Sequence, residues 1–208
     1  TETGQRLFTL SGGNTFSYSP DGKQIVSDNI DFGIYLWDAV TGKKMASPAA
    51  DWIYDLAYAP DGNTVAVAGV EIHQQIKNRD NVITLFDPKT YTALPLKMTG
   101  HPVVISKLRY SPDGSLVAYR SGDSTLIERV ADGDTWDVPA YGRAIAFSPA
   151  GQRIAWQIAS GTENFDRRLV QVWVSDVNGD NARQVAQLVG GGLTGWLADS
   201  RRLLITQR

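Results

Sequence analysis

Apolar and polar residues alternate in short runs along this chain, and the runs are punctuated at regular intervals. Phe16-Ser17-Tyr18 precedes Ser19-Pro20-Asp21-Gly22, and Gln24-Ile25-Val26 follows it. Leu56-Ala57-Tyr58 and Thr64-Val65-Ala66-Val67 flank Ala59-Pro60-Asp61-Gly62 in the same way. Leu108-Arg109-Tyr110 and Leu116-Val117-Ala118-Tyr119 flank Ser111-Pro112-Asp113-Gly114. A fourth copy is Ser148-Pro149-Ala150-Gly151, and a worn fifth is Leu197-Ala198-Asp199-Ser200. Period-two alternation on either side of such a tetrapeptide predicts two strands joined by a tight turn. Pro presets φ, Asp bonds its own backbone and Gly accepts positive φ.

A second hairpin signal follows in four of the five units. It is Ile34-Tyr35-Leu36-Trp37-Asp38 before Thr41-Gly42, then Ile83-Thr84-Leu85-Phe86-Asp87 before Thr90-Tyr91. It returns as Val172-Trp173-Val174-Ser175-Asp176 before Asn178-Gly179, and in the third unit it decays to Leu126-Ile127-Glu128-Arg129-Val130 before Asp132-Gly133. Fourth strands are expected at 43–46, 93–98, 135–138 and 183–188. No segment sustains helical periodicity.

The fourth residues of the five turns are spaced by 40, 52, 37 and 49. Four short strands in a unit of about 44 residues match a β-propeller blade. A β-sandwich also has many short strands, but it does not need a motif repeated at fixed period. The expected fold is therefore all-β, a β-propeller, with strands a to d numbered outward in each blade. Blade-like units are expected at about 11–48, 49–99, 100–139, 140–189 and 190–208, the last incomplete, with a lone outer strand at 5–10. The whole chain reads as one propeller domain or a partial one, with five blades if it closes as it stands and more if it is a piece of a longer protein. The second is the expectation favoured here.

Ser-Pro-Asp-Gly, a strand ending in Trp37-Asp38, Thr41-Gly42 and Gly100-His101 resemble WD-repeat propellers. The segment from Ala146 to Ser148, Arg153-Ile154-Ala155-Trp156 and Val172 to Gly179 is similar to TolB-type propellers. The resemblance implies a bacterial protein whose repeats carry protein–protein contacts. It also implies that His101 is a structural hydrogen-bonder to Asp123. Gly12-Gly13 stands where that family places Gly-His.

Charge and composition narrow the function. The 208 residues hold 20 basic and 22 acidic side chains, a net charge of −2, which leaves no electrostatic footprint for nucleic acid. No run of about 18 apolar residues exists, so no membrane-inserted helix is expected. With no cysteine there is no disulfide, thiolate nucleophile or cysteine metal site, and the compartment stays open between cytoplasm and periplasm. Two histidines and no Gly-x-Ser-x-Gly elbow give nucleophilic catalysis poor support, so no catalytic residue is expected. Asp176 to Asn181 alternates oxygen side chains as calcium loops do, but it lacks the distal Glu and falls in an ordinary c–d turn. No metal and no cofactor are expected.

The connections between strands b and c are long in units two and four. They and the d–a loops share one face of a propeller, and they hold most of the candidate binding residues. These are His73, Lys77, Arg79 and Asp80 in one insertion, and Glu163, Phe165, Asp166, Arg167 and Arg168 in the other. Trp52, His101 and Tyr141 come from d–a loops. The expected role is a non-catalytic scaffold that binds another protein or peptide through this face, and the chain is also expected to contact further blades or domains of its own polypeptide. The alternative is the substrate-gating propeller of a larger hydrolase of the prolyl-oligopeptidase type.

Overall fold

In the computed structural model, the residues described are 8–29, 33–47, 52–72, 79–101, 103–138, 145–160 and 168–206. Every regular element among them is a strand. The chain divides into two compact units, Thr1–Leu108 and Arg109–Arg208.

The first unit contains two antiparallel four-stranded sheets, each in plain sequence order. One is β1 (Phe16–Tyr18), β2 (Gln24–Asp28), β3 (Ile34–Asp38) and β4 (Lys44–Ala46). The other is β5 (Ile53–Tyr58), β6 (Val65–Ile72), β7 (Arg79–Asp87) and β8 (Thr92–His101). A third sheet is built from β9 (Ile105–Tyr110), β10 (Leu116–Ser121), β11 (Ser124–Arg129) and β12 (Thr135–Val138), and the division between units falls within β9. The fourth is β13 (Ala146–Phe147), β14 (Arg153–Ser160), β15 (Leu169–Asp176) and β16 (Arg183–Val189). A two-stranded sheet pairs β17 (Gly192–Trp196) with β18 (Leu203–Thr206).

One turn geometry recurs five times. The backbone N–H of Gly22, Gly62, Gly114, Gly151 and Ser200 donates to the carbonyl three residues earlier, at 2.8 to 3.1 Å. All five residues have positive φ, including Ser200 at 55°. The worn fifth copy thus keeps the geometry after losing the glycine, and a left-handed Ser costs more than Gly would. Its hydroxyl has a second use, accepting the Ala150 N–H of the preceding turn at 2.9 Å. The Ser of the first and third motifs accepts the N–H that begins the next strand, Ser19 from Gln24 at 2.8 Å and Ser111 from Leu116 at 3.0 Å. Each also donates to the turn Asp, at 2.7 Å to Asp21 and 2.6 Å to Asp113.

Strand b is buried on both faces in the first four sheets, which is why it reads as a continuous apolar run. The core of the first unit joins its two sheets: Val26, Ile34 and Leu36 pack with Leu56, Tyr58, Val65, Val67 and Phe86. In the second unit Leu116, Ala118, Ile127 and Val138 pack with Ile145, Ile154 and Trp156, and Trp136 and Trp173 lean on that cluster. Burial of each such side chain is worth about 1.5–3 kcal/mol, and it is the face-to-face packing of sheets that collects it.

The insertions in the second and fourth sheets are partly strand. β6 and β7 pair as far as Ile72 opposite Arg79, and β14 and β15 as far as Ser160 opposite Leu169. Of the outer strand expected at 5–10, residues 8–10 are in no strand, although the Phe8 ring sits against Gly42, where a Cβ would collide with it.

Candidate functional site

The inner strands of the first unit are tied by one carboxylate. Asp55 of β5 accepts the Thr15 hydroxyl at 2.8 Å, its neighbour Leu56 N–H at 2.9 Å and the Leu108 N–H of β9 at 2.9 Å. Ser17 adds a link, accepting the Tyr58 N–H at 3.1 Å. These bonds hold the entries of neighbouring inner strands together, where the d–a connections arrive. Trp52, 54% exposed, precedes β5, and Val103 and Val104, 42% and 47% exposed, precede β9. Large apolar groups held on fixed backbone at the edge of a sheet assembly are the chemistry of a protein-binding anchor. The Trp52 backbone is itself fixed: its carbonyl accepts the Val70 N–H at 2.9 Å, and the approach is so close that a Cβ on Gly69 would lie 2.5 Å from that oxygen.

The other expected residues fall as follows. Arg79 and Asp80 lie in β7, not in a loop, opposite Ile72 and Glu71. Arg168 stands just before β15, and its carbonyl accepts the Gly190 N–H at 2.9 Å. His101 ends β8 instead of standing in a loop, and it is buried. Asn81 donates to its carbonyl at 3.3 Å. Burial pushes the His101 imidazole below its ordinary value, and a hydrogen bond to the Met98 backbone partly offsets this. The Asp123 carboxylate is 98% exposed and stands 3.5 Å from Arg120. His73, Lys77, Tyr141, Glu163, Phe165, Asp166 and Arg167 lie outside the described residues.

The turn carboxylates have structural work. The Ser19 hydroxyl and then the Lys23 N–H hold Asp21 below the ordinary carboxylate range, and the Ser111 hydroxyl and the Ser115 N–H do the same for Asp113. The Arg201 N–H and the Arg202 guanidinium bring Asp199 down to about 2. Asp176 and Asp180 are engaged by Asn181 and Asn178 within the c–d turn. Among the described residues no group of three or more acidic or histidine side chains could hold a metal ion.

No protein-family model matches the chain. Over 112 residues it is 29% identical to a guanine nucleotide-binding protein subunit beta from Schizosaccharomyces pombe, and over 136 residues 27% identical to its counterpart from Lymnaea stagnalis. Those alignments cover 52% and 63% of this chain, and 33% and 35% of the relatives. Among solved structures it is similar to Porphyromonas gingivalis dipeptidyl peptidase 4, with a TM-score of 0.62 at 12% identity. That match covers 96% of this chain and 37% of the other.

The fold is a β-propeller. Its sheets are blades. The chain spans about a third of the length of the relatives it matches.

Sequence reasoning missed two features of this site. Asp55 was not singled out, because a lone Asp in a strand has no local signal for two distant partners. The second is Val104, although two consecutive β-branched residues just after His101-Pro102 are a visible apolar step.

Proposed function

We propose that this propeller is a non-catalytic scaffold for protein recognition, and that it binds through the face where the d–a and b–c connections emerge. The observation that carries the reading is the exposed trio of Trp52, Val103 and Val104, which lead into inner strands tied together by Asp55. A partner with an apolar anchor would desolvate the trio, and His73, Lys77, Arg79, Asp80 and the insertion from Glu163 to Arg168 are proposed as further polar binding residues. Similarity to subunits of guanine nucleotide-binding proteins supports a role in assemblies. In this reading the five blade-like units form part of a propeller that further blades of the same polypeptide complete.

Likeness to a peptidase chain at 12% identity bears on architecture alone, so the gating reading has no separate support. The test places a photo-crosslinking residue at position 52 and, as a control, at Asn63 in the second a–b turn. Discrete protein adducts from position 52 and none from position 63 are expected. Equal labelling from both positions, or none from either, would overturn the reading.

A further inference from the structure

Among the described residues, the outermost strand of each four-stranded blade is paired on one side only, so its other edge presents backbone N–H and C=O groups for pairing. Three of these strands are blunted. β4 has three residues and begins with Lys44. β12 has four and carries Asp137. β8 is longer, but Pro95, Lys97 and Gly100 interrupt it. β16 is different. Its seven residues, Arg183-Gln184-Val185-Ala186-Gln187-Leu188-Val189, include no Pro, Gly, Lys or acid, and the single charge stands at the start. Its irregularity is a bulge at Val185, opposite the step from Val172 to Trp173, and from Ala186 to Val189 it pairs regularly with β15.

The ladder fixes which groups face outward. Successive residues turn their backbone groups to alternate sides of a strand. The Gly190 N–H donates to the Arg168 carbonyl on the β15 side. Leu188 and Ala186 therefore also face β15, and Gln187 and Val189 turn N–H and C=O to the open edge. Side chains alternate in step. Val185, Gln187 and Val189 are exposed, the two valines at 38% and 54%, while Ala186 and Leu188 are half-buried. The Gln187 amide oxygen accepts Gln184 Nε2 at 3.2 Å, which leaves the Gln187 amide N–H groups to donate elsewhere.

Val185 to Val189 reads alike in both directions: valine, apolar, glutamine, apolar, valine. An antiparallel pair of two such strands centred on Gln187 sets it against the partner's Gln187, and sets Val185 against the partner's Val189. Amide meets amide, valine meets valine, and Arg183 falls beyond the paired run, so no charge opposes a like charge. Such cross-strand pairs are what stabilise a ladder. A contact made by the same patch on both copies closes about a two-fold axis.

We infer that this edge is an interface between two copies of the chain, joined β16 to β16 with Gln187 at the two-fold axis. It goes beyond the scaffold reading and does not use the Trp52 surface. One strand edge buries well under the roughly 1,200 Å² of stable interfaces, so the dimer is weak and forms with rising concentration.

The experiment measures the mass of the whole chain by sedimentation from about 1 µM to about 1 mM, with monomer expected at the low end and a predominant dimer at the high end. Gln187→Lys sets two like charges at the axis and should stay monomeric, as should Gln187→Glu. An equimolar mixture of the two should dimerise again, because this register brings position 187 against itself. Trp52→Ala and Met45→Lys should dimerise like the unaltered chain, so failure here and failure of the scaffold reading are distinguishable. The chain has no cysteine, so Gln187→Cys supplies a second readout. Across a hydrogen-bonded antiparallel pair the Cα atoms lie about 5.5 Å apart, within disulfide reach. A mild oxidant should convert Gln187→Cys to a covalent dimer and leave Met45→Cys monomeric. A chain that is monomeric at about 1 mM overturns the inference and leaves the edge to a strand of another protein. A Gln187→Lys variant that dimerises normally, a dimer lost in Trp52→Ala, or equal cross-linking from positions 187 and 45 overturns it too. Should the lysine variant fail to fold, the two cysteine variants still decide.

Discussion

The phenol of Tyr119 donates to the buried carboxylate of Glu128 at 2.7 Å, bridging β10 and β11. In the first blade the same ladder positions hold Ser27 and Trp37: Ser27 stands opposite Tyr35, two residues before Trp37, as Tyr119 stands opposite Leu126, two residues before Glu128. There the Trp37 indole N–H donates to the Ser27 hydroxyl at 3.0 Å. The b–c diagonal is thus kept as a polar pair while the direction of donation is reversed. The second blade fills it with Val67 and Phe86, and the fourth with Trp156 and Ser175. In the fourth, Trp156 Nε1 is buried with no partner among the described residues.

The Tyr119–Glu128 pair should respond to pH in an unusual direction. Burial pushes the Glu128 carboxyl up, and the Tyr119 hydrogen bond only partly offsets it. A raised folded-state value stabilises below the ordinary carboxylate range and is lost as pH rises through it. Glu128→Gln, which keeps an acceptor for Tyr119, is therefore expected to match or exceed the unaltered protein in stability at pH 7.5, with the difference shrinking by pH 4.5. Tyr119→Phe removes a donor from the buried carboxylate and should cost about 1–3 kcal/mol at pH 7.5. Urea titrations at the two pH values measure both effects.

Asp55 links β5 to Thr15 and to Leu108. Asp55→Ala leaves those donors without their acceptor and is expected to lose about 2–4 kcal/mol. Asp55→Asn, which keeps one acceptor oxygen, should lose less. A double-mutant cycle with Thr15→Val should give a coupling of about 0.5–1.5 kcal/mol, and a value near zero would show that the bridge does not hold the strand entries together.

The second a–b turn has Ala59 where the first and third have Ser19 and Ser111. Ala59 is buried, and Asp61 is held by Asn63 alone among the bonds described. Ala59→Ser should recreate the two bonds of its sister turns and raise stability by about 0.5–1 kcal/mol. A loss of stability by thermal melting would mean that the site is too tight for a hydroxyl.

Gly69→Ala tests how Trp52 is held. A Cβ would lie 2.5 Å from the Trp52 carbonyl, and neither backbone can yield without breaking the Val70 hydrogen bond. The expected cost is about 1–3 kcal/mol, with a red or blue shift of tryptophan emission as Trp52 moves. An unchanged spectrum and melt would show that the two backbones are less closely set.

Acid should weaken the protein in two stages. The lowered His101 value favours the neutral imidazole, so its contribution is present above about pH 6.5 and is lost as pH falls through its folded value. His101→Gln should flatten that first stage. Asp21, Asp38, Asp87, Asp113, Asp132 and Asp199 are all lowered, so their contribution is present above about pH 4 and is lost as pH falls through their folded values, near 2 for Asp199. Ser19→Ala with Ser111→Ala should move the second stage to higher pH, because a hydroxyl is the largest cause of lowering at Asp21 and Asp113.

The blade repeat was legible in the chain because its signals are local. Pro-Asp-Gly with a positive-φ glycine makes a turn whatever surrounds it, and period-two alternation marks a strand wherever it lies. Even the worn turn at Asp199–Ser200 could be read. Where the strands end was not determined in this way: β6 and β7 run into the expected loop as far as Ile72 and Arg79, because pairing continues while each strand has a partner. Tertiary structure alone decided which polar groups are buried and what they meet. Asp55 finds Thr15 and Leu108 across 40 and 53 residues. Backbone conformation depends on a few neighbouring residues, whereas a hydrogen bond between blades depends on how whole sheets pack.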